Sequence, residues 1–125
     1  MTIIYLKNWD QIAVGTKNGV LKIFCVNTMN QIEKSIIFKV CICSLADIDG
    51  KYIGIGGDYG DSSVILWDRF NKNDQIAARY SNHTAAVTSI IDLMDSEHFI
   101  STSLDSTIVL YGHCHKRTID QINTQ

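Results

Sequence analysis

Apolar and polar residues alternate along this chain over short stretches, and clusters of Ser, Asp, Asn and Gly interrupt the alternation at regular distances. The clearest case is His83 to Gly112. Val87, Ser89 and Ile90 lie in a first apolar run, Met94-Asp95-Ser96-Glu97-His98 is a polar break, Phe99 to Leu104 forms a second run, and Thr107 to Tyr111 a third. Runs of this length, rich in Thr, Ile, Val, Phe and Tyr, predict antiparallel strands joined by hairpins, with Asp105-Ser106 as a tight turn. No segment places apolar residues at i, i+3, i+4 and i+7 over ten or more positions. The best helical candidate, Asp74 to Asn82, alternates almost as well as a strand.

Two more groups of runs precede this one. The first comprises Thr2 to Leu6, Gln11 to Thr16, Val20 to Val26 and Gln31 to Phe38, with Lys17-Asn18-Gly19 as a hairpin turn. An Asn-Gly pair between apolar runs is the strongest short-range hairpin signal. The second comprises Val40 to Ile48, Tyr52 to Gly57, Ser63 to Asp68 and Gln75 to Tyr80, with turns at Asp49-Gly50-Lys51 and Asp58 to Ser62. In the third, a fourth strand is expected within Lys116 to Ile122.

The groups repeat. Phe24 in VLKIFCV, Trp67 in SVILWD and Tyr111 in TIVLYG are separated by 43 and 44 residues, and six residues before each stand Asn18, Asp61 and Asp105. All three are turn formers with access to left-handed backbone conformations. A period of about 40–45 residues with four short strands per unit is that of a propeller blade. The chain therefore reads as all-β, a partial β-propeller of about three four-stranded antiparallel blades, with units at 1–38, 39–82 and 83–125.

On these residues the chain resembles the WD40 repeat family. Trp67-Asp68 closing SVILWD is the dipeptide that names the family, DSTIVLYG is a close variant, and the resemblance spans nearly the whole chain. It implies a structural tetrad of His, Ser or Thr, Asp and Trp, which transfers best to the third unit as His83, Ser101, Asp105 and Tyr111. There a phenolic O–H replaces an indole N–H. Such a chain of hydrogen bonds ties inner strands together when every member is satisfied. The first unit offers Val14 where the serine would stand; the second has Asp61 and Trp67, with Gly57 at the serine position and Lys39 near the histidine position. The resemblance also implies a non-catalytic scaffold that presents loops to other proteins, alone or as part of a larger signalling or trafficking protein. The loops in question are Lys17 to Gly19, Asp58 to Ser62, Leu104 to Ser106 and the linking segment Asn82 to Thr84. Lys17, Asn18, Asp58, Tyr59 and Asn82 are the partner-contacting candidates, Tyr59 because an aromatic on a loop tip suits an interaction hot spot.

Composition narrows the alternatives. At 125 residues there is room for one domain with a core, and a net charge of −2 gives no electrostatic reason to expect nucleic acid or an anionic membrane as partner. The apolar run before Lys7 and Asp10 is too short for a signal peptide, and no stretch approaches the roughly 18 residues that span a bilayer. A soluble, cytoplasmic or otherwise intracellular protein is expected, with Cys25, Cys41, Cys43 and Cys114 reduced. The glycosylation triplet Asn82-His83-Thr84 matters only in a secreted chain.

Three sharper chemistries compete with the scaffold. Ser101, His83 and Asp105 are the residue types of a hydrolase triad, but a nucleophilic serine needs exposure and a strained turn, and Ser101 sits within the run FISTSL. Cys41, Cys43, His113, Cys114 and His115 could hold zinc, yet C-x-C and H-x-H lack the common spacing of structural sites, and reduced core thiols are the simpler account. Gly54 to Asp61, GIGGDYGD, resembles a phosphate loop but precedes a strand and not a helix, so its glycines are better explained by close sheet packing or a bulge. No enzyme activity, cofactor or metal is expected. Three blades leave two apolar faces uncovered, since a repeat cannot bury both faces alone. Missing blades, a second copy giving six blades, or another protein would close the ring.

Overall fold

The computed structural model describes all residues, Met1–Gln125. Twelve strands and no helix make up the chain: β1 (Thr2–Leu6), β2 (Gln11–Gly15), β3 (Val20–Cys25), β4 (Gln31–Ile36), β5 (Ile42–Ile48), β6 (Tyr52–Gly57), β7 (Val64–Asp68), β8 (Ile76–Tyr80), β9 (Val87–Asp92), β10 (His98–Ser103), β11 (Thr107–Gly112) and β12 (Arg117–Asn123). They form three antiparallel sheets, each of four consecutive strands in sequence order. The sheets are the blades of a partial propeller. β5 lies beside both β1 and β9, so the first strand of each blade is the innermost. The segment Asp74 to Asn82 contains β8 and has no helical turn.

Alternation within the strands of the second blade sends side chains to two different inter-blade junctions, as the two-residue period of a pleated strand requires. Ala13, Leu21 and Ile23 of the first blade pack against Ile53, Ile55, Ile65 and Trp67 of the second in a cluster of twelve buried residues. Val64 and Leu66, on the second blade's other face, pack against Phe99, Val109 and Tyr111 of the third in a cluster of ten. The middle strands of the second blade are thus buried on both sides, and Trp67 is 1% exposed.

Gly56 of this blade and Gly15 of the first are explained by that packing. A Cβ on Gly56 would fall 2.2 Å from Ser44 Oγ and 2.7 Å from Val87 Cγ1, and one on Gly15 would fall 2.4 Å from Ile42 Cγ2. Each sits where the innermost strand of the next blade crosses.

Asn18, Asp61 and Asp105 do not take the left-handed conformation; Gly19 (φ +80°), Gly60 (φ +101°) and Ser106 (φ +68°) do. The Asp side chains instead accept hydrogen bonds within the turns. Ser63 Oγ donates to Asp61 Oδ1 at 2.7 Å, and the Thr107 backbone N–H donates to Asp105 Oδ1 at 3.0 Å.

Candidate functional site

The densest polar arrangement in the chain lies where the third blade meets the second. His83 precedes β9 in the linker from β8, Ser101 lies on β10, Tyr111 on β11 and Asp105 in the turn between them. His83 Nε2 is 2.6 Å from Ser101 Oγ, which is 2.7 Å from the Tyr111 hydroxyl. His83 Nδ1 is 3.1 Å from Asp105 Oδ2 and 2.9 Å from Thr107 Oγ1. The Thr107 hydroxyl donates to Asp105 Oδ1 at 2.5 Å, and the Thr84 N–H donates to Oδ2 at 2.9 Å.

One proton arrangement satisfies every member. Tyr111 O–H donates to Ser101, Ser101 O–H donates to Nε2 of a neutral imidazole, and the Nδ1–H is directed at Asp105 and Thr107. Burial pushes the Tyr111 hydroxyl up to about 12, so it keeps the proton this direction needs. Burial would also raise the Asp105 carboxyl, but hydrogen bonds from Thr107, Thr84 and His83 outweigh it and hold the group down at about 2. Tyr111 further stacks on Phe99 at 4.6 Å and lies 4.7 Å from Tyr80.

A nucleophile needs access to its substrate, and Ser101 is 0% exposed, its oxygen hydrogen-bonded to the imidazole on one side and to the phenol on the other.

The equivalent place in the second blade is apolar. Hairpin pairing aligns Ile53↔Trp67 with Phe99↔Tyr111, and Ile55↔Ile65 with Ser101↔Val109. Ile55, and not Gly57, therefore stands at the serine position, because the turn from Asp58 to Ser62 is two residues longer than its counterpart in the third blade. The backbone carbonyls of Cys41 and Ala86 accept matching bonds from the N–H groups of Asp58 and Leu104. Three residues before these carbonyls come Phe38 and His83, so buried Phe38, and not exposed Lys39, takes the histidine's place. Asp61 has Arg79 of β8 as its cationic partner, 3.3 Å away, and that guanidinium lies 5.9 Å from the centre of the Phe38 ring.

In the first blade the same positions are Ile12, Val14, Lys22 and Phe24, paired Ile12↔Phe24 and Val14↔Lys22. They are half-buried and, with Met1, Thr16 and Met29, line an open apolar depression. Phe24 thus occupies the place of Trp67 and Tyr111 on a face that no blade covers. At the opposite edge of the chain, the residues aligned with Gly54 and Gly56 are Ile100 and Thr102, the latter bonded to Thr88 at 2.9 Å.

The turns β2–β3, β6–β7 and β10–β11 share one end of the blades with the linkers into β5 and β9. Lys17, Asn18 and Tyr59 are exposed there, Tyr59 by 78%. Asp58 is half-buried and accepts from the Tyr59 N–H at 2.7 Å; Asn82 accepts from the Thr118 hydroxyl at 2.9 Å. Asp68 lies at the other end, where its carboxylate accepts from the Phe70 N–H. So do His113 and Cys114, in the β11–β12 turn, which separates them from Cys41 and Cys43.

That other end carries a cluster the sequence reading passed over. Trp9 and Phe70 lie 4.9 Å apart, Arg69 lies over the Trp9 ring, and Arg69 also reaches Gln11 and, at 3.6 Å, Glu33. Trp9 comes from the β1–β2 turn, Arg69 and Phe70 from the β7–β8 turn, Gln11 from β2 and Glu33 from β4, and no local spacing connects them.

No family model matches the sequence, and no curated protein matches it. Solved structures do match. The structure of U3-55K superposes with a TM-score of 0.85 at 15% identity, over 96% of this chain and 38% of that one. The crystal structure of RRP9 WD40 repeats superposes with a TM-score of 0.84 at 15% identity, over 96% of this chain and 37% of that one. The chain therefore has the fold of WD40 propeller blades and spans less than two fifths of the length of these solved chains.

Proposed function

We propose that the chain is a non-catalytic scaffold of WD40 type, whose exposed loops and uncovered blade faces bind other proteins. The observation that carries this reading is the open depression around Phe24. At the two internal junctions the matching aromatics, Trp67 and Tyr111, are sealed by a neighbouring blade, and an uncovered apolar face of this kind marks an interaction surface. The His83–Ser101 pair belongs to the wall of one such junction, which favours a scaffold over a hydrolase. Four free cysteines suit a reducing, intracellular compartment. No helix is long and apolar enough to cross a membrane.

The Phe24 face is best completed by a further blade or a blade-like partner. Two copies joined head to tail would give six blades, but this pairing would press the innermost strand of one copy on Ile100 and Thr102, where both internal junctions provide small residues. Lys22 in the middle of the face also calls for an acceptor on the incoming surface.

Sedimentation of the purified chain, beside Phe24→Glu, tests the reading. Association that Phe24→Glu abolishes supports a partner-binding face. A stable monomer with no exposed-apolar dye binding, unchanged by Phe24→Glu, contradicts it. Labelling of Ser101 by a fluorophosphonate would instead favour the hydrolase.

A further inference from the structure

Cys41, Cys43 and Asp58 offer three ligand atoms that all lie within 4.8 Å of one another. The chain brings them together in two ways. Ile42, between the cysteines, is 1% exposed and packs into the junction with the first blade, so its neighbours on either side turn away from that junction. The pairing of β5 with β6 then shifts register between Ile42 and Ser44, leaving Cys43 as the extra residue of a bulge. Asp58 follows β6, and its backbone N–H donates to the Cys41 carbonyl at 3.1 Å, which anchors the carboxylate beside the thiols. One carboxylate oxygen accepts from the Tyr59 N–H, leaving the other free to ligate.

We propose that Cys41, Cys43 and Asp58 bind a zinc ion, with the fourth tetrahedral position left to water or to a side chain of a bound partner. Two thiolates and a carboxylate form a donor set of the borderline-soft kind zinc takes, at about 2.3 Å for sulfur and 2.0–2.2 Å for oxygen. Ligands at those lengths stand roughly 3.5–3.8 Å apart in a tetrahedron, so rotamer adjustments of about 1 Å close the site. All three residues are half-buried, within reach of an ion from solvent.

Zinc takes thiolate and not thiol, so binding displaces thiol protons into solvent and weakens as pH falls. The bound ion would join the start of β5 to the β6–β7 turn, and so fix the loop that carries Tyr59.

Cobalt(II) titration of the reduced full chain, followed by zinc displacement, tests the site. A thiolate-to-cobalt charge-transfer band saturating at one equivalent and bleached by one equivalent of zinc is expected. Cys41→Ser and Cys43→Ser should each weaken binding by more than about 100-fold, beyond the range for outer-shell partners, while Cys25→Ser and Cys114→Ser change nothing. Protection from iodoacetamide, read by peptide mass spectrometry on the unmodified chain, avoids dependence on variants. Zinc should shield Cys41 and Cys43 and leave Cys25 and Cys114 reactive. Absence of the band, or uniform alkylation of all four cysteines with zinc present, overturns the proposal.

Discussion

The second and third blades meet the same packing requirement with opposite chemistry. Where the third uses His83, Ser101 and Tyr111 joined by hydrogen bonds of 2.6 and 2.7 Å, the second uses Phe38, Ile55 and Trp67, all within one buried apolar cluster. In both, an aspartate holds the β-turn. Asp105 is satisfied by imidazole, hydroxyl and two backbone N–H groups, and Asp61 by a serine and an arginine that crosses the phenylalanine ring. The comparison teaches that the position demands bulk and complete satisfaction, not a particular polarity. An apolar trio needs only shape, whereas a polar chain is stable only when no member is missing.

The two solutions should respond differently to truncation. Trp67→Ala, which empties the apolar trio, should cost about 3–5 kcal/mol, the range for a fully buried large aromatic, read as a fall in the urea midpoint. Ser101→Ala removes one oxygen but orphans His83 Nε2 and the Tyr111 hydroxyl together, and should cost about 2–4 kcal/mol. The Phe38 site has no such vulnerability.

Acid should separate the blades next. The Asp105 carboxyl sits near 2 in the folded chain against an ordinary 3.8. Its stabilisation is complete above about pH 4 and is lost as pH falls through about 2. Asp105→Asn should lack that part of the acid dependence when urea midpoints are compared across the window. Arg79→Ala should have the smallest effect, under about 1 kcal/mol, because the Arg79–Asp61 pair is partly open to solvent.

Much of this was legible in the sequence. Alternation and turn residues located all twelve strands to within a few residues, and the interval between Phe24, Trp67 and Tyr111 gave the blade period, since these aromatics share one face in three dimensions. The counting failed where the spacing changed. Two extra residues in the Asp58 to Ser62 turn moved the serine position from Gly57 to Ile55, and those two, offset by a β5–β6 turn one residue shorter than the β9–β10 turn, moved the histidine position from Lys39 to Phe38. Thr107 was within reach, being two residues after Asp105 as Ser63 is after Asp61. Arg79, the Trp9–Phe70 pair and the approach of Asp58 to the two cysteines were not: Arg79 and Asp58 meet their partners across neighbouring strands of the second blade, and Trp9 meets Phe70 only where two blades stack.

The central claim is that the His83 chain is a structural joint interchangeable with an apolar one. Urea unfolding of Ser101→Ala beside the triple variant His83→Phe, Ser101→Ala, Tyr111→Phe tests this most directly, because the triple leaves no polar group orphaned between the strands. The account predicts that the triple unfolds at a higher midpoint than the single substitution. A single variant as stable as the unmodified chain, or a triple whose loss equals the sum of its parts, would contradict it.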